Sequence, residues 1–318
     1  MKNLILVLLA MVLLNACKKN KNEPLYNYKM TKYDVQVTPT ERKVSILFQV
    51  LDKEGIGVDK LTEPNFNIYE NNEIISSEAG VQIDPSKIPS TIRTVLLLDI
   101  SSSVSDFMDQ LKEASIALIN SQLNDQEFAI FTFDKDIEFV QDFTSDKSLL
   151  ISKINQIPET DLVSSTNLYG ALIDVTADTY FEWIEYYTID EIYETNIVLF
   201  TDGKHNADPS ITLNMALSSI DGRKVYVAAL QSDDLKEDAL KQIATEYVLA
   251  ENTDQIKTKF EEVQGKIEKL SNSLYYLYYT SPITNPASRE NDLEIKIKDN
   301  AEGASNSIKT KFNSLGFN

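Results

Sequence analysis

The chain has one cysteine, one histidine and one tryptophan in 318 residues. Cys17 alone cannot form an internal disulfide, and Cys17 with His205 cannot build the ligand sets of structural zinc. Glycine is scarce, at 9 residues. No G-x-x-x-x-G-K loop and no glycine-rich turn behind a strand is present, so the common nucleotide cradles are missing. Positive charge is short too. Lys and Arg number 30 against 49 Asp and Glu, a net charge of −19, and a field of that sign repels nucleic-acid phosphates. The acidic surplus reads first as a solubility feature. No apolar run reaches the ~20 residues of a membrane-spanning helix. Hydrophobic residues make up 42%, enough for packed cores, so the chain is not disordered, and its length suggests about two domains.

The longest apolar run, Leu4 to Leu14, follows Met1-Lys2-Asn3 and ends in Leu14-Asn15-Ala16-Cys17. Its length suits the core of a signal peptide. The pattern resembles the lipobox of bacterial lipoproteins. That resemblance implies that residues 1–16 are removed, that Cys17 carries lipid, palmitate among the acyl chains, and that the protein sits in the cell envelope. Several chains at ~0.8 kcal/mol per buried methylene make a lasting anchor. Residues 17–30 form a tether, and its polar stretch from Lys18 to Pro24 carries three lysines, Lys18, Lys19 and Lys21. Lys18 behind the cysteine fits the outer-membrane sorting rule of some bacteria.

Two strand patterns divide the rest. Val44, Ile46, Phe48 and Val50 alternate with polar neighbours, as do Leu293, Ile295 and Ile297. A period of two marks strands buried on one face, as in antiparallel sheets. Phe66–Tyr69 and Ile74-Ile75 flank Asn71-Asn72 and predict a hairpin. By contrast, Val95–Leu98, Phe128–Phe131, Ile197–Phe200 and Val225–Leu230 are continuously apolar, as strands of a helix-covered parallel sheet are. Helical spacing lies between them, in Phe107, Leu111, Ala114 and Leu118, in Leu168, Leu172 and Val175, and over 236–244 and 255–270. The pattern predicts an α/β fold with a doubly wound, mostly parallel sheet over 92–272. It is inserted in, or flanked by, a small antiparallel β-sandwich made of 31–90 and 274–318. Two separate β modules would each have a thin core. The aromatic segment Tyr180–Tyr187 reads as an extension of the helix after Thr166, and Tyr275–Tyr279 as a strand of the sandwich.

Open α/β sheets bind ligands beyond the carboxyl ends of their strands. There the sequence places Asp99-Ile100-Ser101-Ser102-Ser103, Ser164-Ser165-Thr166-Asn167 and Thr201-Asp202-Gly203. Two carboxylates and three hydroxyls form an all-oxygen set, which suits a hard cation such as Mg²⁺. In this order and placement the three segments resemble the metal-ion-dependent adhesion site of von Willebrand factor type A domains, which joins D-x-S-x-S, a distant Thr and a distant Asp-Gly. The resemblance covers about 92–272 and all five positions. It implies that Ser101, Ser103 and Thr166 bind the cation directly, and Asp99 and Asp202 directly or through water. The ion would be Mg²⁺, or Mn²⁺ or Ca²⁺, completed by an Asp or Glu of a protein partner. It also implies that the helix over 255–270 shifts when a ligand binds. The short link Ser271–Leu274 would pass such a shift to the sandwich, which otherwise serves as a stalk.

Gly203 is expected at positive φ, and His205 as surface packing. Three functions compete: a surface lipoprotein that grips a partner through the cation, an envelope scaffold using the same site, and a metal-dependent phosphatase of the haloacid dehalogenase type. The last needs a second Asp two residues after the first. Ser101 stands there instead and is a poor proton donor, so the reading is non-enzymatic.

Overall fold

The expected parallel sheet stands at the centre of the molecule and explains the continuous apolar runs. The structure is a computed structural model. It describes residues 24–317 except 76–78, 84–87, 160–162, 178, 234 and 285–288. The segment 1–16, Cys17 and most of the tether therefore lie outside the described residues. Among the described residues no helix is long and apolar enough to cross a membrane.

In chain order, five strands come first: β1 (Lys29–Thr38), β2 (Lys43–Leu51), β3 (Phe66–Glu70), β4 (Glu73–Ile74) and β5 (Gln82–Ile83). The α/β part follows with β6 (Ser90–Asp99), α1 (Met108–Asn120), β7 (Gln126–Phe133), β8 (Ile137–Thr144), α2 (Lys147–Asn155) and α3 (Leu168–Thr176). It continues with β9 (Tyr186–Tyr187), β10 (Ile192–Thr201), α4 (Leu213–Ser219), β11 (Lys224–Leu230), α5 (Glu237–Ile243), β12 (Glu246–Ala250) and α6 (Thr253–Ser271). The chain then returns to strands with β13 (Leu274–Thr280), β14 (Glu290–Ile297) and β15 (Ser307–Asn313).

The central sheet has the order β12-β11-β10-β6-β7-β8, with β9 beside β10. Strands β12, β11, β10, β6 and β7 are parallel, while β8 and β9 run antiparallel. Alternate residues of one strand feed opposite cores. Leu96, Leu98, Val198 and Phe200 meet α1 and α6 through Leu111, Leu118, Phe260 and Val263. Val95, Leu97, Ile197 and Leu199 meet α3, α4 and α5 through Leu168, Leu172, Ala216 and Leu240. Chain order reverses between β6 and its neighbours β7 and β10, and open α/β sheets bind ligands beyond the carboxyl edge at such a reversal.

The remaining strands form two antiparallel sheets, β1-β2-β13-β5 and β15-β14-β3-β4. The core between them contains Ile46, Phe48, Ile68, Tyr275, Leu277, Ile295 and Phe312. Each sheet pairs a strand from before the α/β part with one from after it: β2 with β13, and β3 with β14. In the β3–β4 hairpin Asn71 and Asn72 have φ of 51° and 69°, the left-handed pair that a two-residue turn with the right twist requires.

The two parts meet over Leu47, Leu274 and Tyr276 on one side and Ile88 and Ile192 on the other. Tyr33 stacks on Tyr187 at 4.3 Å. Gln49 Nε2 donates to the Leu270 carbonyl at 3.4 Å and to Ser273 Oγ at 3.1 Å. A Cβ on Gly57 would lie 2.2 Å from the Lys269 carbonyl oxygen, so the loop carrying Gly57 touches the end of α6 backbone to backbone.

One expectation fails. The segment Tyr180–Tyr187 does not extend the helix: α3 ends at Thr176, and Ala177 is extended. The Thr176 hydroxyl donates to the carbonyls of Leu172 and Ile173, at 2.8 and 3.0 Å. The aromatic rings find their contacts on the sheet instead. Tyr180 packs on Phe131 at 5.2 Å, Phe181 on Phe143 at 4.9 Å, and Tyr186-Tyr187 become β9.

Candidate metal centre

Asp99 is the last residue of β6, and its side chain is fully buried. One carboxylate oxygen accepts from the Ser101 N–H at 2.9 Å, which bends the chain out of the strand. The other accepts from the Thr201 hydroxyl at 2.7 Å. Thr201 closes β10, and its hydroxyl accepts in turn from the Gly203 N–H at 2.9 Å. One hydroxyl thus joins the ends of the two central strands. Ser101 and Ser103 lie side by side, with their hydroxyls 3.1 Å apart.

Asp202 follows β10 and is also fully buried. Its carboxylate accepts from the Lys204 N–H at 3.0 Å and from the Ser232 hydroxyl at 3.3 Å. Gly203 has φ +83°, and an added Cβ there would come within 3.0 Å of Leu240, so both backbone and space require glycine.

Thr166 stands in the loop before α3 and has no exposed surface. Its backbone is fully engaged. The N–H donates to Asn206 Oδ1 at 2.7 Å, and the carbonyl accepts from the N–H groups of Asn206 and Ala207 at 2.9 and 3.1 Å. Its side-chain oxygen, by contrast, is buried with no hydrogen-bond partner. A buried hydroxyl left unmatched costs about 1–3 kcal/mol, so such atoms call for an explanation. The three segments are tied together: Ser102 N–H donates to the Val163 carbonyl at 2.8 Å, and Asn167 N–H to the Asp134 carbonyl at 2.6 Å.

Burial pushes the Asp99 carboxyl up to about 6, against the hydrogen bonds from Ser101 and Thr201, and the Asp202 charge adds to the rise. Two buried carboxylates beside an unmatched hydroxyl fit a bound cation. Among the described residues no group of three or more His, Cys, Asp and Glu could hold a metal, so a site here must draw on hydroxyls. The donors are then oxygens alone, which favours hard ions over thiolate- and imidazole-seeking ones.

His205 stays out of this set. Its ring stacks on Tyr169 at 4.2 Å, its Nδ1 accepts from the Tyr169 N–H at 3.5 Å, and its Nε2 pairs with the Asp208 carbonyl at 3.0 Å. It buttresses the start of α3. Sequence reading named the five candidate oxygen donors, whose segments the structure brings to one edge of the sheet, but gave no role to Thr201, Ser232 or Asn206. Thr201 could have been flagged as the neighbour of Asp202. Asn206 carries no local signal, since its partner Thr166 is 40 positions away.

The model of the von Willebrand factor type A domain matches residues 94–205. No curated protein matches the chain. Similar solved structures include an aerotolerance-related membrane protein of Bacteroides fragilis, 19% identical over 56% of this chain and 99% of that one, with a TM-score of 0.44. The vWF domain of the type V pili tip protein Mfa5 of Porphyromonas gingivalis is 12% identical over 57% and 96%, with a TM-score of 0.45. Proximal thread matrix protein 1 of the mussel byssus, with a zinc-occupied MIDAS motif, is 16% identical over 62% and 49%, with a TM-score of 0.46. The matched stretch runs from Thr94 in β6 to His205 and includes Asp99, Ser101, Ser103, Thr166 and Asp202. The α/β part of this chain has the fold of a von Willebrand factor type A domain.

Proposed function

We propose that this chain is a lipid-anchored envelope protein that grips a protein partner through a divalent cation at the carboxyl edge of its central sheet. The observation that carries the reading is the Thr166 hydroxyl, buried and unpartnered on the edge that also holds Asp99, Ser101, Ser103 and Asp202. Ser101, Ser103 and Thr166 would hold Mg²⁺, or Mn²⁺ or Ca²⁺, through neutral oxygens, with Asp99 and Asp202 direct or through water. When bound, the ion would supply a Lewis-acidic coordination position that a partner's Asp or Glu carboxylate can fill. Thr201 and the Ser101 N–H keep Asp99 oriented, and Ser232 and the Lys204 N–H do the same for Asp202. The protein's part is binding rather than turnover. Residues 1–16 would be the leader and 17–30 the tether, with Cys17 lipidated and the outer membrane as its seat. A scaffold role inside the envelope uses the same site and differs only in the partner.

The test is partner capture by the lipid-free chain in Mg²⁺ and in EDTA, with Asp99→Ala as control. A partner retained in Mg²⁺ and released by EDTA supports the reading. Equal capture in both buffers and by the variant refutes it.

A further inference from the structure

We propose that Asn206 is a positioning residue that gives the site its preference for Mg²⁺ over Ca²⁺. The inference rests on the metal reading above and concerns a residue whose own side-chain oxygen is spent on Thr166 rather than on the ion.

The bonds form a closed figure. Asn206 Oδ1 accepts from the Thr166 N–H at 2.7 Å, and the Asn206 N–H returns to the Thr166 carbonyl at 2.9 Å. Ala207 N–H makes a second bond to that carbonyl at 3.1 Å, and Asn206 Nδ2 reaches the Ser164 carbonyl at 3.4 Å. The same Thr166 has a hydroxyl that is buried and unpartnered. Both backbone groups of the residue are therefore fixed from the segment that follows Asp202, and the side chain alone is free for a ligand. Of the bonds to the Thr166 backbone, only the one to the N–H comes from a side chain. It is the one that substitution can remove while leaving the backbone pair in place.

The chemistry of the ions turns this clamp into selectivity. Mg²⁺ demands oxygens at about 2.0–2.1 Å in a near-ideal octahedron, while Ca²⁺ accepts about 2.3–2.6 Å in irregular shells. A Thr166 hydroxyl held in one place satisfies the stricter ion. A loosened one costs Mg²⁺ more than Ca²⁺. Groups that orient a ligand typically carry about 10–100-fold in metal affinity.

The experiment uses the full chain in detergent, with Mn²⁺ followed by electron paramagnetic resonance and displaced by Mg²⁺ or by Ca²⁺. Asn206→Ala is expected to lose about tenfold or more in Mg²⁺ affinity and less than about threefold in Ca²⁺ affinity. Asn206→Asp keeps the acceptor for the Thr166 N–H. Its added charge acts on both ions alike, so it should retain the wild-type ratio of the two affinities. In EDTA Asn206→Ala should melt a few degrees below the wild type, because the buried Thr166 N–H loses its acceptor, while Asn206→Asp, which keeps that acceptor, should melt with the wild type. An unchanged Mg²⁺/Ca²⁺ ratio in Asn206→Ala overturns this inference alone. A wild-type chain that binds none of the three ions overturns the metal reading and this inference with it.

Discussion

Asp99 does two jobs that conflict. On the proposed reading its carboxylate serves a cation, yet burial raises its folded pKa to about 6, above the ~3.9 of an unfolded aspartate. In the absence of metal, the stability tied to this raised value is fully present below about pH 4 and is lost as pH rises through about 6. Asp99→Asn keeps the shape and removes the charge. In EDTA at pH 7.5 it should melt a few degrees higher than wild type, while Mn²⁺ binding falls at least tenfold. For the wild type, protons compete with the ion, so Mn²⁺ affinity should fall as pH drops below about 6 and level off above 7. A calorimetric titration at three pH values checks the sign; affinity independent of pH from 5 to 7.5 would contradict it. The five candidate oxygen donors stood out in the sequence because each sits next to a recognisable strand end or helix start. Asn206 was not, since its importance comes from a partner that only the folded loops bring near.

α6 is held at two heights. In the middle, Gln264 Nε2 donates to Gln126 Oε1 at 2.7 Å, a bond buried under the helix, and to the carbonyl of the more exposed Ser121 at 3.2 Å. At its end, Gln49 bonds the Leu270 carbonyl and Gly57 abuts Lys269. Movement of this helix, which the resemblance implies, would therefore act on β2 directly. Gly57→Ala places a methyl group where no atom fits, and overpacking of this kind costs about 1–3 kcal/mol. Denaturant unfolding should show that loss, and a variant as stable as wild type would show that the contact yields. Periodicity explains which elements were foreseen. The strands β6, β7, β10 and β11 are buried on both faces and so are apolar throughout, a pattern with one good reading. The α3–β9 connection mixes aromatic and acidic residues at spacings that suit a helix or a folded-back loop equally. Contacts with Phe131 and Phe143, far away in sequence, decide between them. The edge strand β8 was missed for a related reason: it is only half covered, and its apolar residues do not alternate cleanly.

On the proposed reading, residues 1–16 are removed and lipid on Cys17 anchors the two-part body. Cys17→Ala should move the protein from the membrane fraction to the soluble fraction, and firm retention in the membrane would rule out lipid as its anchor. The interleaved sheets also set an order of events in time. β2 finds its partner β13 only after the whole α/β part has been synthesised, as does β3 its partner β14. Closing a flexible loop of that length would cost on the order of 5 kcal/mol in chain entropy. A folded α/β part removes most of this cost, because its two ends are neighbours: Ser90 and Ser271 line the same cavity of about 350 Å³. The first strands must therefore wait, partly paired, while the later part folds and hands back their missing neighbours. Pulsed proteolysis during refolding should find cuts in 24–75 outlasting those in 92–272. Protection of the early segment first would reverse the order. Any substitution that slows the α/β part should lengthen the time for which the edges of β2 and β3 stay open to aggregation.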